Sequence, residues 1–149
     1  MVTKVFYKFP KEAKKVREKV FIHEQGFSYD HDEIDNIAIH MVIFDNNTPI
    51  AACRVFESEK SGIYVLGRLA VQKECRGKGV GSMLVESVKE YVSYIGGKSL
   101  ILHSQLHAKE FYSKLGFEEY GEIEYEDNCP HIWMKIEFGN RQTCARQLK

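Results

Sequence analysis

The residues whose types and spacing are best suited to chemistry stand at Arg76-Gly77-Lys78-Gly79-Val80-Gly81-Ser82. Glycines at alternate positions let a backbone approach a ligand closely and enter turns that other side chains resist. A helix that starts there leaves its first N–H groups without intrahelical acceptors, and its macrodipole puts partial positive charge at the same end. Arg76 and Lys78 add full charges beside those donors. The chemistry expected of this stretch is the holding of a phosphate or pyrophosphate.

Two well-known phosphate binders do not fit. The pattern Gly-x-x-x-x-Gly-Lys-Ser/Thr is absent, which excludes a nucleotide-hydrolase loop. The dinucleotide fingerprint is met at Gly77 and Gly79, but Ser82 stands at its third glycine. Leu100-Ile101-Leu102 occupies the place, about 20 residues on, where that fingerprint needs an acid.

The elements that must position the turn are legible on either side. Ile63 to Val71 is a β-prone apolar run broken by Gly67 and Arg68. After the turn, Val80, Leu84, Val88, Tyr91, Val92 and Ile95 recur at helical spacing and form one apolar stripe. A second block follows, with a strand from Ser99 to Ser104, a short helix from about Ala108 to Leu115, and Gly116 as its stop.

Both blocks carry family motifs. Arg76-Gly77-Lys78-Gly79-Val80-Gly81 matches Arg/Gln-x-x-Gly-x-Gly/Ala, and Phe111-Tyr112-Ser113-Lys114-Leu115-Gly116-Phe117 matches Phe-Tyr-x-Lys-Leu-Gly-Phe. On these motifs the chain resembles the GNAT acetyltransferases over most of its length, from about Val20 to Phe138. It looks closest to a small single-domain bacterial subgroup with an early Glu-Gln and a late Pro-His, here Glu24-Gln25 and Pro130-His131.

The resemblance implies the fold class: an α/β (α+β in some schemes) domain with the GNAT acyl-CoA N-acyltransferase fold. Its sheet is mixed, mostly antiparallel, flanked by helices and splayed at the central strand. It also implies acetyl-coenzyme A as co-substrate, with the pyrophosphate on Arg76, Gly77, Lys78, Gly79, Val80, Gly81 and Ser82. Backbone groups of Leu69, Ala70 and Val71 would bind the pantetheine arm and polarise the thioester. Tyr112 takes the place of the family's general acid, and a phenol with a pKa near 10 is protonated at neutral pH. His131 takes the place of the base, suited to it by the near-neutral pKa usual for histidine, with a carboxylate acting through water as the alternative. Tyr112 also reads as an inner-face aromatic beside Phe111 and Phe117, and His131 as an ordinary strand-start residue.

The acceptor side is less defined. Asp30, Asp32, Glu33 and Asp35 make the segment from Phe27 to Asn36 polar and acidic, a loop or a short second helix. In the resembled family this region walls the acceptor site, which would give Glu24, Glu33 or Asp35 a grip on an amine. The plain alternative is a solvated acidic loop. Arg54 and Arg68 fall on neighbouring strands, where they either clamp an acidic group on the acceptor or pair with Glu33, Asp35 or Glu57. The expected reaction is direct attack by a small-molecule primary amine in a ternary complex. A peptide acceptor and a non-catalytic coenzyme A-binding module remain as rivals.

In chain order, Val2 to Lys8 reads as a strand. Pro10 opens a helix with Ala13, Val16 and Val20 on one face, Lys11, Lys14, Lys15 and Arg17 outside, and Gly26 as its end. Ala38 to Asp45 and Ile50 to Glu57 read as a hairpin about Asn46-Asn47-Thr48-Pro49. Phe117 to Asn128 reads as polar and turn-rich, and Cys129 to Phe138 as a last strand. The tail from Gly139 to Lys149 reads as frayed.

At 149 residues, 44% hydrophobic and 28% charged, the chain reads as one domain, residues 1–149, of ordinary globular composition. A net charge of zero gives no global field for nucleic acid, and no segment approaches a membrane span. Cys53, Cys75, Cys129 and Cys144 lack paired spacing, which favours reduced thiols in a cytoplasm. Cys75 is a poor nucleophile candidate, on the pyrophosphate side of the site. His23, His31, His40, His103 and His107 lack ligand spacing on any expected helix, so no metal is expected. A homodimer is common in the resembled family.

Overall fold

The computed structural model describes residues 1–139, so the expected frayed tail beyond Gly139, with Cys144, lies outside the described residues. The chain falls into two compact units, Met1–Phe56 with Leu66–Val88, and Glu57–Val65 with the chain from Lys89 on.

The first unit carries β1 (Val2–Phe6), α1 (Lys11–Arg17), β2 (Ile39–Asp45) and β3 (Thr48–Glu57), together with most of β4 (Ile63–Val71) and the first part of α2 (Val80–Tyr94). β1 and β2 run antiparallel in a register that sets Val2 against Phe44 and Phe6 against His40. β2 and β3 pair His40 with Arg54 and Met41 with Cys53. Asn46 and Asn47 join them at φ of 50° and 71°, the left-handed pair that a tight two-residue hairpin requires. Ala13, Val16 and Val20 pack with Val42, Ala52 and Ala70 into a core ringed by Phe6, Phe9, Phe21 and Phe44.

α1 does not stop at Arg17 but continues as a wide, π-type turn over Glu18–Glu24, with the Gln25 N–H reaching back to the Val20 carbonyl at 3.0 Å. Gly26, at φ +81°, ends it where expected. One expectation fails here. Arg17 does not lie outside but is fully buried, because it shares the face of Ala13, Val16 and Val20 and finds carboxylates there.

The second unit carries β5 (Ser99–Gln105), α3 (Lys109–Lys114), β6 (Glu118–Glu126) and β7 (Cys129–Glu137), with the three strands antiparallel in the order β5-β7-β6. The period-two pattern buries Leu100, Leu102 and Ser104 of β5 with Ile132 and Met134 of β7. The other face of those strands presents His103, His131 and Trp133. Gly116 closes α3 at φ +97°. Its N–H bonds the Ser113 carbonyl, and that of Phe117 bonds the Tyr112 carbonyl, both at 3.1 Å, a glycine-stopped C-cap.

The stretch after Phe117 is also corrected, since it forms β6 rather than a run of turns. β6 is an edge strand exposed along nearly its whole length, so no apolar alternation marks it in the sequence. Its hairpin to β7 repeats the earlier device, with Asp127 and Asn128 both left-handed.

Candidate functional site

The glycine turn lies between β4 and α2. A single 3-10 turn, Lys73–Cys75, brings the chain round, and Gly77 and Gly79 then both adopt φ +79°. A Cβ at either position would meet nothing within 4 Å, so backbone conformation rather than crowding calls for glycine. Met83 is the first residue past the turn whose N–H finds a backbone acceptor, Gly79 at 3.0 Å. Among the described residues, the N–H groups from Gly77 to Ser82 donate to no backbone carbonyl. They sit at the positive end of a 15-residue helix, and this is the donor set an anionic diphosphate needs.

Arg76 turns away from this set. Its Nε donates to the Val71 carbonyl at 3.0 Å, and its two Nη groups fork onto Glu24 at 2.6 and 2.7 Å. The Arg76 hydrogen bonds hold the Glu24 carboxyl below its usual range. Glu24, expected at an acceptor amine, is therefore tied to the first residue of the turn, beside a cavity of about 310 Å³ whose lining includes Lys19, His23 and Lys73.

The acidic segment resolves into a charge network. Arg17 donates to Asp30 at 2.6 Å and to both oxygens of Asp35 at 2.8 and 3.0 Å. Arg54 donates to Asp32 at 2.5 and 3.2 Å and to Asp35 at 3.0 Å. Arg68 reaches the Asp30 carbonyl at 2.8 Å and Asp32 at 3.3 Å. Asp32 and Asp35 also form a capping box on the 3-10 turn Glu33–Asn36. Burial pulls the Asp35 carboxyl up, but the hydrogen bond and charge of Arg17, with help from Arg54, outweigh it and hold the pKa at about 2. His40, stacked 4.8 Å from the Phe9 ring, donates from Nε2 to the Asp35 carbonyl at 3.0 Å, and burial lowers its pKa. Asp35 and Arg54 are thus engaged with each other below the surface, while Glu33 is exposed and Arg68 half-exposed.

Arg68 is also a backbone outlier, with φ +52° in the middle of β4. A left-handed residue with a side chain costs roughly 1–2 kcal/mol. It falls inside the continuous strand, immediately before Leu69, Ala70 and Val71.

In the second unit Tyr112 is buried in α3, edge-on to Phe111 (centroids 4.9 Å apart) and to Phe117 (5.9 Å). His131 opens β7 with Nδ1 2.9 Å from the Cys129 carbonyl, and its Nε2 lies 3.9 Å from Glu126. His103 lies beside it, ring centroids 4.9 Å apart, and stacks on Trp133 at 4.5 Å. Its Nδ1 pairs with Glu126, and its Nε2 is buried 3.6 Å from Glu124. Among the described residues, no group of three or more His, Cys, Asp or Glu is arranged to hold a metal.

The family model for the acetyltransferase (GNAT) domain matches residues 10–138. The chain belongs to the GNAT acetyltransferase family. An uncharacterized N-acetyltransferase of Bacillus subtilis (strain 168), YjcF, is 34% identical over 127 residues, covering 83% of this chain and 89% of its own. The crystal structure of Escherichia coli ElaA superposes with a TM-score of 0.82 at 27% identity, covering 91% of this chain and 99% of the other. An acyl-CoA N-acyltransferase of Pseudomonas aeruginosa superposes with a TM-score of 0.80, covering 90% of this chain and 97% of its own. At 23% identity that is a likeness of fold.

Within this GNAT chain, two residues escaped the sequence reading. Arg17 was detectable as a fourth position, i+4 from Ala13, on an apolar helix face. A buried arginine requires acids, and the aspartates of 30–35 supply them. His103 was detectable only through the register that sets it opposite Trp133, and pairing across β5 and β7 is not a local property of the sequence.

Proposed function

We propose that this GNAT chain transfers the acetyl group of acetyl-coenzyme A to the primary amine of a small molecule, in a ternary complex without a covalent acetyl-enzyme. The observation that carries the reading is the turn from Arg76 to Ser82, with Gly77 and Gly79 left-handed and the N–H groups of 77–82 without backbone acceptors at the head of α2. Those N–H groups hold the pyrophosphate, and Lys78 adds charge. Arg76 joins them when it leaves Glu24. Backbone groups of Leu69, Ala70 and Val71 receive the pantetheine arm and thioester carbonyl. Coenzyme A supplies the activated acyl carbon and a sulfur leaving group.

The residues then move two protons. His131, or a carboxylate acting through a water, takes one from the ammonium of the acceptor. The freed nitrogen lone pair forms the new C–N bond as the C–S bond breaks, and the acylated nitrogen releases its second surplus proton to solvent. Tyr112 gives its phenolic proton to the departing sulfur, so the products are an amide and the free thiol of coenzyme A. The tyrosine regains its proton from solvent. The free thiols of Cys53, Cys75 and Cys129 support a reducing, cytoplasmic setting, and we take the working form to be a homodimer.

Thermal melting with acetyl-coenzyme A, free coenzyme A or NAD tests the reading. Ligand at about 100 times its dissociation constant adds roughly 2.7 kcal/mol of stability. Both coenzyme A forms should raise Tm, and NAD should not. Tyr112→Phe should keep that shift while turnover falls by about 10²- to 10⁴-fold. Full turnover in the variant would remove Tyr112 from the mechanism, and the absence of any shift would remove the turn.

A further inference from the structure

Arg68 is the one arginine of the charge network that the network itself does not require. The segment from Asp30 to Asp35 is already held by two buried arginines, Arg17 on Asp30 and Asp35, and Arg54 on Asp32 and Asp35. Arg54 occupies both oxygens of Asp32 before Arg68 arrives. Arg68 adds the longest side-chain contact of the group, 3.3 Å, and among the described residues its Nη1 makes no hydrogen bond. Its side chain is 35% exposed, whereas those of Arg17 and Arg54 are 0% and 5% exposed. The chain nevertheless keeps a side-chain-bearing residue left-handed at this point of β4. Such outliers persist where surroundings hold them, and they cluster at ligand-binding sites.

The electrostatics agree. Desolvation, then the nearby charge of Arg54, lower the pKa of Arg68, so its positive charge is under-compensated where it stands. An incoming anion relieves that imbalance. The guanidinium edge that remains open is planar, with N–H donors side by side, which suits a carboxylate. A doubly charged phosphate fits less well, because Asp32 already lies against Nη2.

We propose that Arg68 binds a carboxylate carried by the amine acceptor, which makes the acceptor an amino acid or a similar small amino-carboxylate. This rests on the acetyltransferase reading above. Arg68 directly precedes Leu69, Ala70 and Val71, so a carboxylate anchored on it keeps the amine at the thioester end of the donor. The arginine is a specificity residue and exchanges no proton.

The test uses matched acceptors that differ by one carboxylate: ornithine and putrescine, lysine and cadaverine, phenylalanine and phenethylamine. Wild-type protein is given acetyl-coenzyme A, thiol release is followed, and the amide is identified by mass. The expected result is a KM for at least one amino acid about 10- to 100-fold below that of its decarboxylated partner, the worth of one or two charged hydrogen bonds. Arg68→Gln should erase that gap by raising the amino-acid KM while leaving the amine KM within about twofold. Arg68→Lys, which keeps the charge but loses the fork, should restore part of it. Equal KM values within every pair, or an Arg68→Gln variant that raises both members alike, would overturn the inference while leaving the enzyme an acetyltransferase. No transfer to any acceptor, with no rise in Tm on adding acetyl-coenzyme A, would remove the acetyltransferase reading and this inference together.

Discussion

Two clusters of charge, one in each unit, are built from similar numbers of opposite groups and behave as different materials. In the first unit, Arg17, Arg54 and Arg68 face Asp30, Asp32 and Asp35, and of these six Arg17, Arg54, Asp30 and Asp35 are buried. In the second, His103 and His131 face Glu124 and Glu126, whose side chains are 59% and 56% exposed. Arginine stays charged at any accessible pH, so the first cluster is a fixed lattice of ions that pins a segment. The carboxylates of the second cluster are exposed and screened by water, so its ion pairs anchor little. The lesson is that burial, more than charge count, decides whether ionic groups hold a shape.

The sharpest way to break this comparison is Arg17→Met. It leaves Asp30 and Asp35 buried without their principal cation, and removing one partner of a buried pair typically costs about 3–5 kcal/mol. Urea titration should show a loss of that size. A loss below about 1 kcal/mol would mean that the lattice relaxes and does not pin the segment.

Next in size is the acid limb of stability. Asp35 has a folded pKa of about 2, below the usual carboxylate value near 4. A depressed pKa gives stability that is complete above the unfolded value and is lost as pH falls through the folded one. Stability measured from pH 5 downward should therefore drop between about pH 4 and pH 2. Asp35→Asn should be less stable at pH 7 and show a shallower drop across that window. An unchanged slope would mean that other carboxylates govern acid unfolding.

The smallest effect is expected in the second cluster. Glu126→Gln removes an exposed charge from beside His103 and His131 and should cost less than about 1 kcal/mol, within the range of surface ion pairs. A cost matching that of Arg17→Met would erase the distinction drawn between the clusters.

Much of this was legible in the sequence because it is local. β4, the glycine turn and α2 follow one another within a single stretch, and the left-handed Gly77 and Gly79 sit where the motif puts them. The hairpin at Asn46-Asn47 and the stop at Gly116 are likewise written in neighbouring residues. What was hidden is either non-local or unburied. Arg17 meets Asp30 and Asp35 across 13 and 18 positions, and a cation on a helix is by default read as solvated. β6 escaped because an edge strand exposed on both faces carries no alternation to read. His103 gains its neighbours only through strand register. In the turn, the surprise is the partner of Arg76, since Glu24 is 52 positions away.

The open border of β6 has a further consequence. Six of the ten residues from Glu118 to Asp127 are acidic, and none is basic. An unpaired strand is a template for other chains, and like charges along it repel any copy that tries to add on. The carboxylates therefore act as a colloidal guard. The same border carries Ile123 and Tyr125 exposed on it, so without that acidic guard copies would have a place to stick together.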